Sequence, residues 1–151
     1  DLAAIIAEVV DDCGPVAAGK GMEIVNGVTG PLLITGNASL LASVFRNLID
    51  NAIAYSGGDR ISIMPLLSGC CFDGDDKIVL SVSDNGCGVP QEHLPRLFER
   101  FYRIDKGRSR TAGGTGLGLS IVKNAVLLHG GSISVENRPG GGLFFTIVLS
   151  R

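Results

Sequence analysis

The chain contains no tryptophan, and none of its apolar stretches approaches the roughly 18–20 residues that a membrane-spanning helix requires. Its N-terminus has neither the basic start nor the cleavage site of a signal peptide. Basic charge is not in excess, because 13 Lys and Arg face 15 Asp and Glu for a net charge of −2. Nucleic-acid binding is therefore not expected, since such proteins are usually basic. We also predict no membrane contact by this chain.

Paired cysteine motifs are missing as well. The four cysteines include the adjacent pair Cys70 and Cys71, and none of them forms a C-x-x-C unit with the spacing of a zinc knuckle. We interpret them as buried or incidental thiols in a reducing compartment, which predicts a cytoplasmic location.

What the sequence does contain is the composition of one globular domain. It has 151 residues and a mass of 15.7 kDa, with 45% hydrophobic and 19% charged residues. The first residue is Asp1 rather than Met, so we interpret residues 1–151 as a single domain from a longer protein, for which an anchor in the inner membrane is left open. We expect the isolated domain to be monomeric.

Helical and alternating patterns are both present along the chain. The first helix is predicted to stop at Cys13-Gly14-Pro15, and Asn37 or Ser39 is predicted to cap a long second helix. This mixture predicts an α+β class, an antiparallel-rich sheet with helices on one face. The predicted helices are 2–12, 38–56, 91–101 (short) and 117–129, and the predicted strands are 22–28, 32–35, 60–67, 77–83, 132–137 and 143–150.

Glycine-rich segments offer three candidate phosphate sites. Residues 14–20 match a P-loop until its last position, where Gly21 replaces Ser or Thr, so a Gly-Pro turn is the favoured interpretation. The glycines at 113–118 do not have the Rossmann order. The junction 114–120 fits best, because a glycine loop that opens a helix brings backbone N–H groups and the positive end of the helix dipole to an anion.

Four ordered motifs accompany that junction: 47–52 (NLIDNA), 84–88 (DNGCG), 97–103 (LFERFYR) and 114–119 (GTGLGL). Together they resemble the N, G1, F and G2 boxes of the catalytic, ATP-binding domain of two-component sensor histidine kinases. The resemblance covers essentially the whole chain and extends to the wider gyrase/Hsp90/histidine-kinase/MutL ATPase group.

The resemblance implies a Bergerat-type two-layer α/β sandwich, with a mixed, mostly antiparallel sheet and a mobile lid over ATP at about 103–115. It implies ATP or ADP and Mg²⁺ as ligands, and transfer of the γ-phosphoryl group to a histidine on an upstream dimerisation domain, with a response regulator as an indirect partner. It assigns catalytic roles to Asn47, Asn51 and Arg103, and contacts with the nucleotide to Asn47, Asn51, Tyr55, Asp84, Gly86, Gly88, Arg103, Gly114, Thr115, Gly116, Leu117, Gly118 and Leu119.

The N-box amides lie four residues apart and therefore share one helix face. By resemblance, Asn51 supplies an oxygen ligand to magnesium, and Asn47 lies at the mouth of the same site. The hydrolysing relatives carry a Glu at position 47 as a general base, whereas an amide cannot take a proton at neutral pH. The site is therefore predicted to hold ATP without strongly activating water.

The other boxes have further implied roles. Asp84 accepts a hydrogen bond from the adenine amino group, although a simple Asp-Asn-Gly turn is the ordinary interpretation of such a segment. Arg103 reaches the γ-phosphate, where a cation stabilises transferring charge. The aromatic residues Phe98, Phe101 and Tyr102 are expected to pack at the base of the lid.

Two features depart from a complete kinase. Ala54 stands where the family has Lys or Arg, so a phosphate-facing cation is missing from the helix. The two histidines, His93 and His129, are interpreted as structural, because neither lies on a long dimerisation helix. The residues leave three alternatives open: a conformational clamp of the gyrase/Hsp90 type, a non-catalytic nucleotide-sensing domain, and a serine-kinase anti-sigma factor.

Overall fold

The computed structural model describes residues 1–66, 77–104 and 115–151. These ranges contain three α-helices, one 3₁₀ helix (Gln91–Arg96) and five strands. No helix in them is both long enough and apolar enough to cross a bilayer. The helices are α1 (Leu2–Gly19), α2 (Ala38–Tyr55) and α3 (Gly118–Leu128), and the strands are β1 (Glu23–Asn26), β2 (Arg60–Pro65), β3 (Lys77–Asp84), β4 (Ser132–Asn137) and β5 (Leu143–Ser150).

The five strands form one sheet in the order β1-β2-β3-β5-β4. Only the β1–β2 pair is parallel, and the other three pairs are antiparallel. The register places Ile63 opposite Val82 and Leu80 opposite Ile147, and all four side chains are buried. Because alternate strand residues point to the same face, this row forms the sheet's side of the core. The predicted α+β class and mostly antiparallel sheet are confirmed.

Helix α2 supplies the largest part of the opposing layer. The Asn37 side chain caps its start by accepting from the Leu40 N–H at 3.0 Å, as predicted. Its buried side chains recur every three or four residues: Leu41, Val44, Phe45, Leu48, Ile49 and Ala52. Each large one contributes about 1.5–3 kcal/mol by leaving water. The polar face of the helix is therefore turned away from this stripe.

The C-terminal end of α3 is joined to the N-terminal end of α2 by a hydrogen bond to His129. The Nδ1–H of His129 donates to the Ala125 carbonyl oxygen at 2.7 Å, and its Nε2 accepts from the Asn37 N–H at 3.0 Å. These roles follow from the partners, since a carbonyl can only accept and an N–H can only donate. Gly130 continues the chain at φ +65°, as a C-terminal glycine of a helix commonly does.

The predicted end of α1 is wrong. The helix continues through Pro15 to Gly19, so residues 14–20 form neither a P-loop nor a Gly-Pro turn. Cys13 and Ala17 are almost fully buried and extend the apolar stripe by one more turn. Pro15 leaves the Asp11 carbonyl without its helical donor. Because Asp11 and Pro15 are both exposed, the Asp11 carbonyl can bind water instead. The burial of Cys13 and Ala17 therefore outweighs the loss of one helical hydrogen bond.

The strand predicted at 32–35 is also absent from the described chain. The Leu32 carbonyl accepts from the Leu2 N–H at 2.8 Å, and the Leu32 N–H donates to the Asp1 carboxylate at 3.0 Å. Its backbone groups are thus satisfied by the start of α1, and no neighbouring strand is needed. Leu32 and Ile34 pack against the core, which accounts for their alternation.

The helix predicted at 91–101 is shorter than expected. The 3₁₀ helix ends at Arg96 and contains Pro95, whose missing N–H excludes the hydrogen bond that an α-helix would form back to Gln91.

Replacing Pro15 with Ala is expected to stabilise the domain. The change restores an N–H donor to the Asp11 carbonyl inside α1, at some loss of chain stiffness in the unfolded state. We expect the free energy of unfolding to rise by about 1–2 kcal/mol in urea titrations. Val16→Ala, at an exposed neighbouring position, is the control. An unchanged or lower stability in Pro15→Ala would contradict this account of the helix.

Candidate active site

A cavity of about 1100 Å³ lies between α2, the end of β3, the 3₁₀ helix and the start of α3. Of the predicted site residues, Gly114 lies outside the described chain. The structure does not bring Gly86 or Leu117 to the cavity wall. The cavity is lined by the other ten: Asn47, Asn51, Tyr55, Asp84, Gly88, Arg103, Thr115, Gly116, Gly118 and Leu119. One cavity thus collects parts of all four motifs.

The two N-box amides form one wall of the cavity. The Asn47 amide donates to the Ser43 carbonyl oxygen at 2.8 Å and to the Ser43 hydroxyl at 3.1 Å, which fixes which end of the amide is nitrogen. A methyl group at Gly118 would lie 3.0 Å from Asn47 Oδ1 and 3.6 Å from Asn51 Nδ2. The start of α3 therefore packs directly on these amides, and a side chain at position 118 would crowd the Asn47 oxygen.

The first turn of α3 brings backbone N–H donors to this point. Leu117 is its N-cap residue, and among the described residues no side chain caps the helix there, so its first N–H groups can serve a ligand in the cavity. The Thr115 hydroxyl accepts from the Leu117 N–H at 3.4 Å, just outside the helix. An α-helix of 11 residues carries partial positive charge at this end, which favours an anion.

Asp84 lies at the other end of the cavity and is only 5% exposed. Its Oδ1 accepts from the Gly86 N–H at 2.9 Å, and among the described residues its Oδ2 accepts no hydrogen bond. The Asp84 backbone carbonyl accepts from Arg138 Nη1 at 3.1 Å. The turn interpretation of this segment is therefore correct for one carboxylate oxygen, while the other remains available to a donor in the cavity.

Gly86 packs against the end of α2 and does not line the cavity, and its predicted contact with the nucleotide stays a prediction. A methyl group there would lie 2.0 Å from the Ser56 carbonyl oxygen, so this glycine lets the turn pack against the end of α2. The next N–H, of Cys87, donates to the same carbonyl at 2.9 Å. Gly86 thus fixes the position of Asp84 from behind, and its expected approach to a bound base is not seen in the cavity lining.

Apolar side chains surround the Asp84 end. They come from α2, from β3 and β5, from the start of α3, and from the chain on either side of the 3₁₀ helix, and include Leu48, Ala52, Val82, Val89, Leu97, Leu119, Leu143 and Phe145. An apolar slot with one buried carboxylate suits a flat ring that carries an amino donor. Tyr55, 49% exposed, stands at its edge.

The aromatic residues of the F box are divided between core and surface. Phe98 packs edge-on against Phe145, with ring centroids 6.3 Å apart. Phe101 does not pack as expected: it is 71% exposed and has φ +62°, a left-handed conformation that is rare for a bulky residue. Its N–H donates to the Gly116 carbonyl oxygen at 2.9 Å. This bond joins the two sides of the predicted lid, most of which lies outside the described residues.

Charge along the cavity is sparse. Of the residues described, Arg103 is the one Lys or Arg side chain that lines it. Ala54 also lines it and is exposed, so the position where a cation was expected carries none. On α2, which is described in full, Arg46 instead pairs with Asp12 of α1 at 2.5 Å.

The lining residues that were not predicted as site residues include three with titratable side chains, Asp50, Cys87 and His93. Desolvation raises the pKa of the Asp50 carboxyl above its ordinary value, and the charge of Arg46 opposes this. Asp50 follows Asn47 by three residues, so helical spacing could have indicated its position. The pattern held no signal for Cys87 or His93, whose positions depend on the path of the chain after β3.

Comparison with known proteins agrees with this geometry. Residues 36–151 match the family described as histidine kinase-, DNA gyrase B- and HSP90-like ATPase, and the chain belongs to this family. It is 38% identical to the sensor-like histidine kinase SenX3 of Mycobacterium tuberculosis over 150 residues, which is 99% of this chain and 35% of SenX3. The chain therefore spans about a third of the length of that relative.

Solved structures share the fold. The mycobacterial sensor histidine kinase MprB superposes with a TM-score of 0.81 at 28% identity, covering 99% of this chain and 94% of that one. Full-length ShkA, in complex with AMPPNP, gives a TM-score of 0.79 at 27% identity, covering 99% of this chain and 30% of ShkA.

Gly116 offers a test of how the two sides of the predicted lid are joined. It has φ +73°, and a methyl group there would lie 2.9 Å from Phe101 Cα. We expect Gly116→Ala to lower the free energy of unfolding by more than the roughly 1–2 kcal/mol that the left-handed backbone alone costs an alanine.

The matched control is Gly30→Ala, because Gly30 has φ +75° but nothing within 4 Å of the added methyl group. The difference between the two variants in urea titrations measures the contact with Phe101. If both variants lost the same free energy of unfolding, the contact between position 116 and Phe101 would not contribute to stability.

Proposed function

We propose that this chain is the ATP-binding catalytic domain of a sensor histidine kinase. It binds Mg-ATP and transfers the γ-phosphoryl group to a histidine on the dimerisation domain of the same parent protein. The observation that carries the proposal is that Asp84, the amides of Asn47 and Asn51, Arg103 and the start of α3 line one cavity. Membership of the ATPase family and likeness to SenX3 and MprB support it.

The adenine ring enters the apolar slot with its amino group toward Asp84. The Gly86 N–H already occupies Oδ1, so Oδ2 accepts from the amino group. A carboxylate that is 5% exposed has little water to compete for this bond. It therefore favours adenine over guanine, whose ring presents a carbonyl oxygen in place of that amino group.

The triphosphate extends toward the N-box amides, the first turn of α3 and Arg103. Free backbone N–H groups of α3 and the guanidinium of Arg103 receive phosphate oxygens. The donor set fits magnesium, because the cavity offers neutral amide oxygens and Mg²⁺ is usually held by one or two protein oxygens together with phosphates. Asn51 is the proposed ligand, and the bound ion neutralises charge on the triphosphate.

Water is not the proposed acceptor. Asn47 stands at the position of the general base of hydrolysing relatives, and an amide does not accept a proton at neutral pH. The site thus aligns and polarises the γ-phosphoryl group and leaves the nucleophile to a partner.

The histidines of this chain are placed for other tasks. Both ring nitrogens of His129 are already hydrogen-bonded, to Ala125 and Asn37. His93 has its Nδ1 bonded to the Tyr102 hydroxyl. An acceptor from elsewhere in the parent is therefore proposed, and a response regulator would receive the phosphoryl group next. We propose a cytoplasmic location for this domain, within a membrane-anchored parent, and a monomeric state when it is isolated.

Asp84→Asn tests the adenine contact. The asparagine oxygen replaces Oδ1 as acceptor for the Gly86 N–H, so its NH₂ group is directed at the adenine amino group, and two donors meet. We expect ADP binding to weaken by about 1–3 kcal/mol in calorimetry, the cost of a mispaired buried polar group.

Glu136→Gln, which removes one exposed carboxylate on β4, controls for the change in net charge. The melting temperature of Asp84→Asn should change little, because the bond to Gly86 survives. If ADP affinity matched that of the wild type, the adenine assignment would be wrong.

Phosphoryl transfer is tested with radiolabelled ATP and two separate domains. The 151-residue chain alone should bind Mg-ATP without forming acid-labile phosphohistidine, and label should appear on an added dimerisation domain that carries the acceptor histidine. Asn51→Ala should abolish transfer, because magnesium loses its protein ligand and the triphosphate its alignment.

Asn124→Ala, an exposed asparagine on α3, is the matched control. Release of free phosphate without transfer would favour a conformational clamp, and binding without either reaction would favour a nucleotide-sensing domain. Undiminished transfer in Asn51→Ala, or phosphohistidine on the isolated chain, would contradict the assigned roles.

A further inference from the structure

Two cavity-lining side chains from different segments are joined by a hydrogen bond. His93 belongs to the 3₁₀ helix, and Tyr102 directly precedes Arg103. The His93 Nδ1 and the Tyr102 hydroxyl are bonded, and the ring centroids lie 6.0 Å apart. Both residues are partly buried, so the bond is shielded from water on one side. The hydroxyl of Tyr102 is therefore fixed to an element that precedes it in the chain.

The ring of Tyr102 is held from a second direction. The guanidinium carbon of Arg96 lies 4.3 Å from the ring centroid, within the range of a cation–π contact. Arg96 is itself oriented by Glu99, whose Oε2 accepts from Nε at 3.2 Å and from Nη2 at 3.1 Å. Tyr102 is thus held at two places by the 3₁₀ helix: His93 bonds to its hydroxyl and Arg96 packs on the face of its ring. We call these two contacts the clamp on Tyr102.

The backbone on both sides of Tyr102 is equally constrained. Phe101 holds its left-handed conformation while bonded to Gly116, and a methyl group at Gly116 would lie 3.3 Å from Arg103 Cγ. The aliphatic part of Arg103 therefore passes close to Gly116. A backbone conformation as unfavourable as that of Phe101 persists only where surrounding contacts determine it. The clamp on Tyr102 is such a contact, one residue away.

We propose that His93 is a positioning residue for the triphosphate. Through its bond to Tyr102, it fixes the backbone from which Arg103 extends into the cavity, so that the guanidinium meets the γ-phosphate. This inference rests on the proposed function, because it assumes that Arg103 contacts ATP. Its distinctive consequence is selectivity: losing the bond weakens binding of ATP, which has a γ-phosphate, and leaves ADP binding unchanged.

The experiment compares ATP and ADP affinities by calorimetry for the 151-residue chain. His93→Ala and Tyr102→Phe should each weaken ATP binding about threefold to tenfold, the range expected for one hydrogen bond, with little change for ADP. His93→Asn should retain most of the ATP affinity, because its side-chain amide lies where Nδ1 lies in histidine and can still bond to the Tyr102 hydroxyl. Gln91→Ala, an exposed residue of the same 3₁₀ helix, is the control.

A double-mutant cycle then asks whether His93 acts through Arg103. In an Arg103→Ala background, adding His93→Ala should cause no further loss of ATP affinity. Additive losses, parallel losses for ATP and ADP, or a loss in His93→Asn as large as that in His93→Ala would each overturn the proposal and leave His93 with a structural role. If the wild-type chain bound neither nucleotide, the proposed function itself would fail, and the two failures are thereby distinguished.

Discussion

The architecture depends on one helix that must bury one face and present the opposite one. The apolar stripe of α2 packs into the core, and this fixes the rotation of the helix about its axis. Once that rotation is set, Asn47 and Asn51, four residues apart, are both directed at the cavity. Helical spacing alone therefore directs both side-chain amides toward the cavity. Phe45, which is fully buried on this helix, thus matters to the site without touching it.

Electrostatics in the cavity follow from how few side-chain charges line it. Within the described chain, a triphosphate meets Arg103 as the one cationic Lys or Arg side chain, together with the dipole of α3. Asp50 and Asp84 contribute carboxylates to the same lining. In the proposed ATP site, Ala54 stands where the resemblance implies a cation, which places greater weight on the backbone donors of α3 and on the proposed magnesium ion. Gly118 keeps those donors close to the amides, because its missing side chain admits the helix.

The sequence pattern correctly predicted those elements that are determined by neighbouring residues, through a cap or through one clear hydrophobic periodicity. The stripe of α2 and its Asn37 cap, the alternation in β2 and β3, and the glycines after α3 all indicated the observed elements. The pattern failed at Pro15 and at Leu32, where distant contacts decide the outcome: burial of Ala17 in one case and hydrogen bonds to Asp1 and Leu2 in the other. In the site, the ordered motifs identified ten residues that line one cavity. They could not identify the bond between His93 and Tyr102, which depends on how a 3₁₀ helix folds back on the turn that follows it.

The bond between His129 and Asn37 has a mechanical consequence for the cavity. It fastens the last turn of α3 to the first turn of α2, while the opposite end of α3 rests on the amides with no covalent or ionic link among the described contacts. A helix of 11 residues is about 16 Å long, so a tilt of about 5° about its histidine end would displace Gly118 by about 1.4 Å, roughly half a hydrogen-bond length. The buried side chains of Val122, Ala125 and Val126 oppose such a tilt. The spacing between the start of α3 and the two amides is therefore set by core packing along the helix and by one hydrogen bond at its far end.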